Sequence, residues 1–190
     1  MVSTQAPTDE GSYSRCPGIP GEALEAMFGP HYYITTYPRN GQDAHVCWVK
    51  VRGERGSVLD VEFWYIYGGR DPWDTAQLAM GRYGSDFSFE GVEGSGRANV
   101  DKGPDARYGS TLFTCGDHYL ALSAENLSLM KGDPKANLIN LTQSALPWLC
   151  GEEPVPGWGR TMEEARPPYA HPTADAQTTP AEPSAAPTGG

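Results

Sequence analysis

Four cysteines, at positions 16, 47, 115 and 150, are the sequence feature that most constrains the fold of this chain. No two of them lie closer than 31 residues, and the histidines are scattered, so the close ligand pairs typical of a zinc site are missing. Four buried thiols in a reducing compartment and a disulfide framework are the other interpretations. The disulfide framework is favoured, because the cysteines bracket the part of the chain that can fold.

The simplest pairing joins Cys16 to Cys47 and Cys115 to Cys150, one of three connectivities that four cysteines allow. Each bond closes a loop of about 30–35 residues, which corresponds to roughly 3.5–4 kcal/mol of stabilisation in the chain-entropy model. Disulfides persist in oxidising compartments, so this pairing predicts an extracytoplasmic protein, secreted or anchored at the cell envelope. Residues 1–15 have neither a basic start nor an apolar run, so we expect no signal or anchor in this chain.

Composition divides the 190 residues into three parts. Residues 1–15 and 151–190 lack a sustained apolar period, and the second stretch is rich in Pro, Ala, Thr and Glu, so both are predicted to be disordered. Residues 16–150 are the predicted globular domain.

The net charge is −10 and there is no Lys/Arg run, which argues against a nucleic-acid partner. No stretch of 18 apolar residues predicts a transmembrane segment.

Hydrophobic periodicity within residues 16–150 predicts two β-hairpins and several short helices. In the first hairpin, "HVCWVKVR" places Cys47, Val49 and Val51 on one face, which we take as the core face, and it pairs with "SVLDVEFWYIY". The second hairpin joins "ARYGSTLFTC" to "HYLALSAE" across Gly116-Asp117. Helices are predicted in three segments: "PGEALEAMF", "DPWDTAQLAMGRYG" and "DPKANLINLTQSALPWLC". The predicted fold is α+β, an antiparallel sheet flanked by short helices in a single disulfide-stapled domain.

An aromatic surface is the most distinctive candidate for binding. If Cys47 and its alternate neighbours face the core, then Trp48, Trp64 and Ile66 fall on the opposite face of the first hairpin. Antiparallel pairing is expected to bring the two tryptophans together there. An apolar patch on an outer sheet face marks a ligand or partner surface. The alternative is that a helix covers this face and both tryptophans belong to the core.

Catalytic and cofactor motifs are missing from the sequence. The glycine-rich stretch "EGVEGSGRANVDKG" lacks the third glycine of a dinucleotide fingerprint and the lysine of a phosphate loop. His118 follows Asp117, and Ser110 and Ser123 lie in neighbouring segments, but no G-x-S-x-G elbow is present. We therefore predict no catalytic residue, no metal and no cofactor. A secreted hydrolase that uses His118 with a nearby serine is kept as the alternative.

The order of short motifs also suggests a family. Cys16, a short helix ending in "AMFG", and then "CWVKV" followed by an apolar strand resemble a family of actinobacterial extracytoplasmic lipoproteins that carry a domain of unknown function. The resemblance covers about residues 16–150 and implies export and a helix-flanked antiparallel sheet. Family members begin with a signal peptide that ends at a lipid-modified cysteine, whereas "SYSRC" is not a lipobox.

Together these observations predict a non-enzymatic extracytoplasmic binding or scaffold module of the bacterial cell envelope. Its expected partner is a protein, a lipid or a small apolar molecule, bound through the surface at Trp48, Trp64 and Ile66.

Overall fold

The computed structural model describes residues 16–38, 45–51, 56, 58–65, 84–101, 103 and 106–164. Within these residues the chain forms seven strands, two α-helices and one short 3-10 turn. The strands are β1 (Tyr32–Pro38), β2 (His45–Val51), β3 (Leu59–Tyr65), β4 (Ser85–Phe87), β5 (Ser95–Val100), β6 (Tyr108–Cys115) and β7 (His118–Glu125). The helices are α1 (Gly21–Phe28) and α2 (Pro134–Leu149), and the 3-10 turn is Leu127–Leu129.

The strands form one antiparallel sheet in the order β1-β2-β3-β7-β6-β5-β4. The two predicted hairpins, β2–β3 and β6–β7, therefore lie side by side at its centre, joined through β3 and β7. The second hairpin turns at Gly116, whose φ of 52° at the first central position suits a type II′ turn. The predicted α+β fold with an antiparallel sheet is confirmed.

One face of the sheet, the inner face, packs against both helices. Cys47 and Val49 on β2 are fully buried there, as the alternation predicted, and so are Leu120 and Leu122 on β7. Helix α2 begins where Asp133 accepts a hydrogen bond from the amide of Ala136, 2.8 Å away. The apolar stripe of α2 and the buried residues of α1 complete one continuous core: Leu138, Leu141, Ala145 and Leu149 from α2, and Ala23, Leu24, Met27 and Phe28 from α1.

Two disulfides connect the sheet to segments outside it, and both predicted pairings are confirmed. Cys16 bonds to Cys47, with 5.7 Å between the Cα atoms, and ties the segment before α1 to β2. Cys115 bonds to Cys150, with 5.3 Å between the Cα atoms, and ties the end of β6 to the end of α2. Both Cα separations lie in the normal range for disulfides.

The folded domain continues beyond Cys150, so the predicted boundary there is wrong. Val155 is fully buried and Met162 is 3% exposed, and both belong to the main core. The carbonyl of Pro156 accepts a hydrogen bond from the amide of Gly18, 2.8 Å away, which joins this segment to the chain before α1. Val155 and Met162 are isolated apolar residues without a periodic pattern, so the Pro-rich composition of this segment gives no sign that they are buried.

Residues 1–15 and 165–190 lie outside the described residues, as does the predicted helix over 71–84 apart from Gly84.

No helix in the described part of the chain is long and apolar enough to cross a bilayer.

Candidate functional site

A cleft of about 460 Å³ lies where the β5–β6 connection meets the chain that enters α2. Its volume is within the range of small-molecule sites, about 300–1,000 Å³. The lining residues come from two separate segments: Val100, Asp101, Gly103 and Ala106 from the first, and Leu127, Ser128, Gly132, Asp133, Pro134 and Lys135 from the second.

The first wall is held by the carboxylate of Asp101, directly after β5. Its Oδ2 accepts hydrogen bonds from the amides of Arg107 at 3.3 Å and Tyr108 at 3.0 Å. The amide of Asp101 donates to the carbonyl of Tyr108 at 2.9 Å, and that of Ala106 donates to the carbonyl of Gly103 at 3.2 Å. These bonds close the connection on itself, so its position follows from that of the sheet.

The second wall is fixed by the buried Leu127 and by two hydrogen bonds at Lys131. Leu127 in the 3-10 turn is 4% exposed and anchors the wall in the core. The amide of Lys131 donates to the carbonyl of Met27 in α1 at 2.8 Å, and Asn137 Nδ2 donates to the carbonyl of Lys131 at 2.7 Å. Gly132 adopts a φ of 85°, a left-handed conformation in which a side chain is strained, directly before the Asp133 cap.

The cleft combines apolar walls with a polar rim that carries two carboxylates and one ammonium group. Val100, Ala106, Leu127 and Pro134 supply the apolar surface. Among the described residues, Asp101 and Asp133 each use a single oxygen to fix the backbone, which leaves a second oxygen on each to accept bonds from a ligand. Lys135 Nζ donates to Ser85 Oγ at 2.6 Å. The excess of negative charge favours neutral or cationic molecules over anions.

Metal binding has no support in the described residues, since none of their His, Cys, Asp and Glu side chains form a group of three that could hold an ion.

The predicted aromatic surface is split by the register of the first hairpin. Trp48 lies opposite Asp60, and Trp64 lies opposite Tyr119 on β7, so both tryptophan positions are on the outer face, as expected. Trp64 is nevertheless four residues along β3 from the position opposite Trp48, which corresponds to about 13 Å. The register therefore does not place the two tryptophan positions opposite each other, as antiparallel pairing was expected to do. Ile66 lies outside the described residues.

Trp48 itself is half-buried on the outer face. Its ring lies 5.9 Å from the ammonium group of Lys50, two residues along the same strand. On the neighbouring strand β1, Tyr33 is 47% exposed and lies opposite Lys50. An aromatic side chain is thus presented at this end of the outer face, although by Tyr33 rather than by a pair of tryptophans.

The hydrolase alternative requires a serine close to His118, and neither Ser110 nor Ser123 lies on the same face of the sheet as this histidine. Cys115 lies opposite His118, which places His118 on the inner face. Ser110 and Ser123 lie opposite each other on the outer face. His118 Nε2 is 3.0 Å from the carbonyl oxygen of Leu149, which can only accept, so the imidazole donates to the end of α2. The two serines point away from this histidine, on the other side of the sheet.

The cleft is not apparent in the amino-acid sequence. Its two walls appear in the sequence as the turn-rich stretches "DKGPDAR" and "GDP", each of which is typical of an ordinary loop or a helix start.

Comparison of the chain with protein-family models, curated proteins and solved structures finds no match.

Proposed function

We propose that this chain is a non-enzymatic binding module of an extracytoplasmic, oxidising compartment, and that it binds a small organic molecule in the cleft beside α2. The cleft is the observation that carries the proposal. It has apolar walls and three charged side chains at its rim, and both walls are fixed by hydrogen bonds to the sheet and to the helices. Largely pre-formed cavities of this kind are typical of small-molecule sites.

The cysteines support the proposed compartment. All four are paired, and disulfides form and persist in oxidising environments. Secretion or attachment at the cell envelope is the form of export that the resemblance to actinobacterial lipoproteins supports.

The charges at the rim support a class of ligand. Asp101 and Asp133 line the cleft together with one lysine, so we expect a neutral or positively charged molecule with an apolar part of a few carbon atoms. A scaffold role that uses the outer face near Trp48 stays a prediction.

Ligand-observed NMR with a library of neutral and cationic fragments tests this proposal on the full chain. Ala106→Leu replaces a methyl group in the cleft wall with an isobutyl group, and Ala136→Leu makes the same change at an exposed position of α2 that does not line the cleft. We expect fragments that bind the unaltered protein and Ala136→Leu equally, and that lose at least about tenfold in affinity for Ala106→Leu. Binding that Ala106→Leu leaves unchanged, or a library with no binder, would contradict a ligand site in the cleft.

A further inference from the structure

The two edges of the sheet differ in how they are protected against pairing with another strand. At one edge, β4 has only three residues and carries Asp86, whose Oδ1 is 3.2 Å from Nε of Arg97. Short length and charge are common devices that stop an edge strand from recruiting another chain. At the other edge, β1 has seven residues, "YYITTYP", without a single charged side chain, and its proline, a residue that also protects edges, stands only at the last position, 38. Among the described strands, β1 pairs only with β2.

The composition of β1 favours pairing. Tyr, Ile and Thr are the residue types that strands prefer, and aromatic and Thr–Thr pairs stabilise neighbouring antiparallel strands. Among the described residues, Tyr33 on this strand is the large hydrophobic residue that is exposed to solvent, at 47%. An uncharged, β-favouring edge strand with an exposed aromatic is a template for a second strand.

The strand is also complementary to itself. In a sheet that continues across two copies, the inner face of one copy adjoins the inner face of the other. The two-fold axis then passes between a residue of β1 and the same residue of the second copy, which lie opposite each other. Because β1 runs from Tyr32 to Pro38, an axis at Thr35 aligns the strand with its copy over its whole length, and only Pro38, at its end, has no N–H to donate. That register places Thr35 opposite Thr35 of the second copy and the position of Tyr33 opposite that of Tyr37, both on the outer face.

We infer that β1 is a self-association surface, through which two copies of this chain pair antiparallel about Thr35 and form one continuous sheet. The interface is small, so the dimer is a weak one, with a dissociation constant in about the micromolar to millimolar range. Each copy carries a net charge of −10, so added salt strengthens association by screening the repulsion. The inference is independent of the cleft, because β1 contributes no residue to it.

Sedimentation equilibrium of the full chain with a charge-swap pair tests the inference. Thr35→Lys and Thr35→Glu each place like charges directly opposite one another at the two-fold axis, and we expect each to weaken the dimer at least about tenfold. An equimolar mixture of the two variants is expected to recover association as a heterodimer, since opposite charges then meet at the axis. Recovery in the mixture also shows that both variants keep β1 folded.

Gln143→Lys is the matched control, because it introduces the same charge at an exposed position on α2. We expect it to leave the dissociation constant within about twofold of the unaltered value. An unaltered protein that stays monomeric to about 1 mM would overturn the inference. A dimer that resists both Thr35 variants, or a mixture that shows no recovery, would overturn it as well.

Discussion

His118 on β7 and Leu149 in the last turn of α2 are joined by a hydrogen bond of 3.0 Å between the imidazole Nε2 and the carbonyl oxygen. The last carbonyl groups of a helix have no partner inside the helix. Here the carbonyl of Leu146 accepts from the amide of Cys150 at 2.9 Å, and His118 supplies the donor for Leu149 from the sheet. The residue that the sequence offers as a catalytic base therefore holds the end of α2 beside the Cys115–Cys150 disulfide.

Replacing His118 with phenylalanine tests this role. His118→Phe keeps a planar ring but removes the donor, so the half-buried carbonyl of Leu149 loses its bond. We expect the free energy of unfolding to fall by about 1–3 kcal/mol, measured by urea denaturation with the disulfides intact. The control is His31→Phe at an exposed position, for which the expected change is within about 0.5 kcal/mol. Equal effects of the two substitutions would contradict the role of the hydrogen bond.

Gly18 packs directly against the indole of Trp148 in α2. A Cβ atom at position 18 would lie 2.7 Å from Cζ2 of Trp148, and Gly18 also has a φ of 78°. Gly116 is a matched control, because its φ is 52° and a Cβ there would meet no atom within 4 Å. Gly116→Ala reports only the backbone strain of a positive φ, whereas Gly18→Ala adds the overlap with a buried indole. We expect Gly18→Ala to be the more destabilising by about 1–3 kcal/mol in urea denaturation; similar values would show that Trp148 moves aside freely.

Thr111 and Thr142 form a buried hydrogen bond between β6 and α2. Thr142 Oγ1 lies 3.0 Å from the carbonyl of Leu138 and donates to it, so Thr111 Oγ1 donates to Thr142 across 3.3 Å. Thr142→Val leaves the buried Thr111 hydroxyl without this acceptor, and we expect a loss of about 1–2 kcal/mol in unfolding free energy. The double variant with Thr111→Val is expected to lose less than the sum of the single losses, by about 0.5–1.5 kcal/mol. Additive losses in this double-mutant cycle would show that the two hydroxyl groups do not interact.

Much of the fold is predictable from the sequence because it depends on short-range patterns. Alternation along β2 identifies Cys47 and Val49 as core residues, and Asp133-Pro134 marks the start of α2. The disulfide pairing is the simplest of the three connectivities that four cysteines allow, because it joins cysteines that are neighbours in sequence order, and the structure has this pairing. Such features need no knowledge of long-range geometry.

The site is harder to predict because it depends on how distant segments meet. The offset between Trp48 and Trp64 is set by the strand register, which the alternation of faces leaves undetermined. The cleft forms only where the loop after Asp101 meets the loop before Asp133, and neither stretch is distinctive alone. His118 illustrates the same limit, because its partner at Leu149 is 31 residues away.

Met162 tests how far the folded domain extends beyond Cys150. It is 3% exposed within the main core. Met162→Ala is therefore expected to lower the free energy of unfolding by about 2–5 kcal/mol, as for other buried methionines. The exposed Glu152, in the same segment, provides the control, and Glu152→Ala is expected to change it by no more than about 0.5 kcal/mol. A Met162→Ala protein as stable as the control would place residue 162 outside the core and leave Val155 as the buried residue beyond Cys150.

The disulfides give the most direct test of compartment. We expect protein purified from its native host, denatured and alkylated without reductant, to show no free thiol by mass spectrometry. Peptide mapping is expected to link Cys16 to Cys47 and Cys115 to Cys150, because the Cα atoms of these pairs are 5.7 and 5.3 Å apart. Removal of one bond by Cys115→Ser with Cys150→Ser is expected to lower the free energy of unfolding by about 2–5 kcal/mol. Four alkylated cysteines in the native protein would place it in a reducing compartment and remove the main support for export.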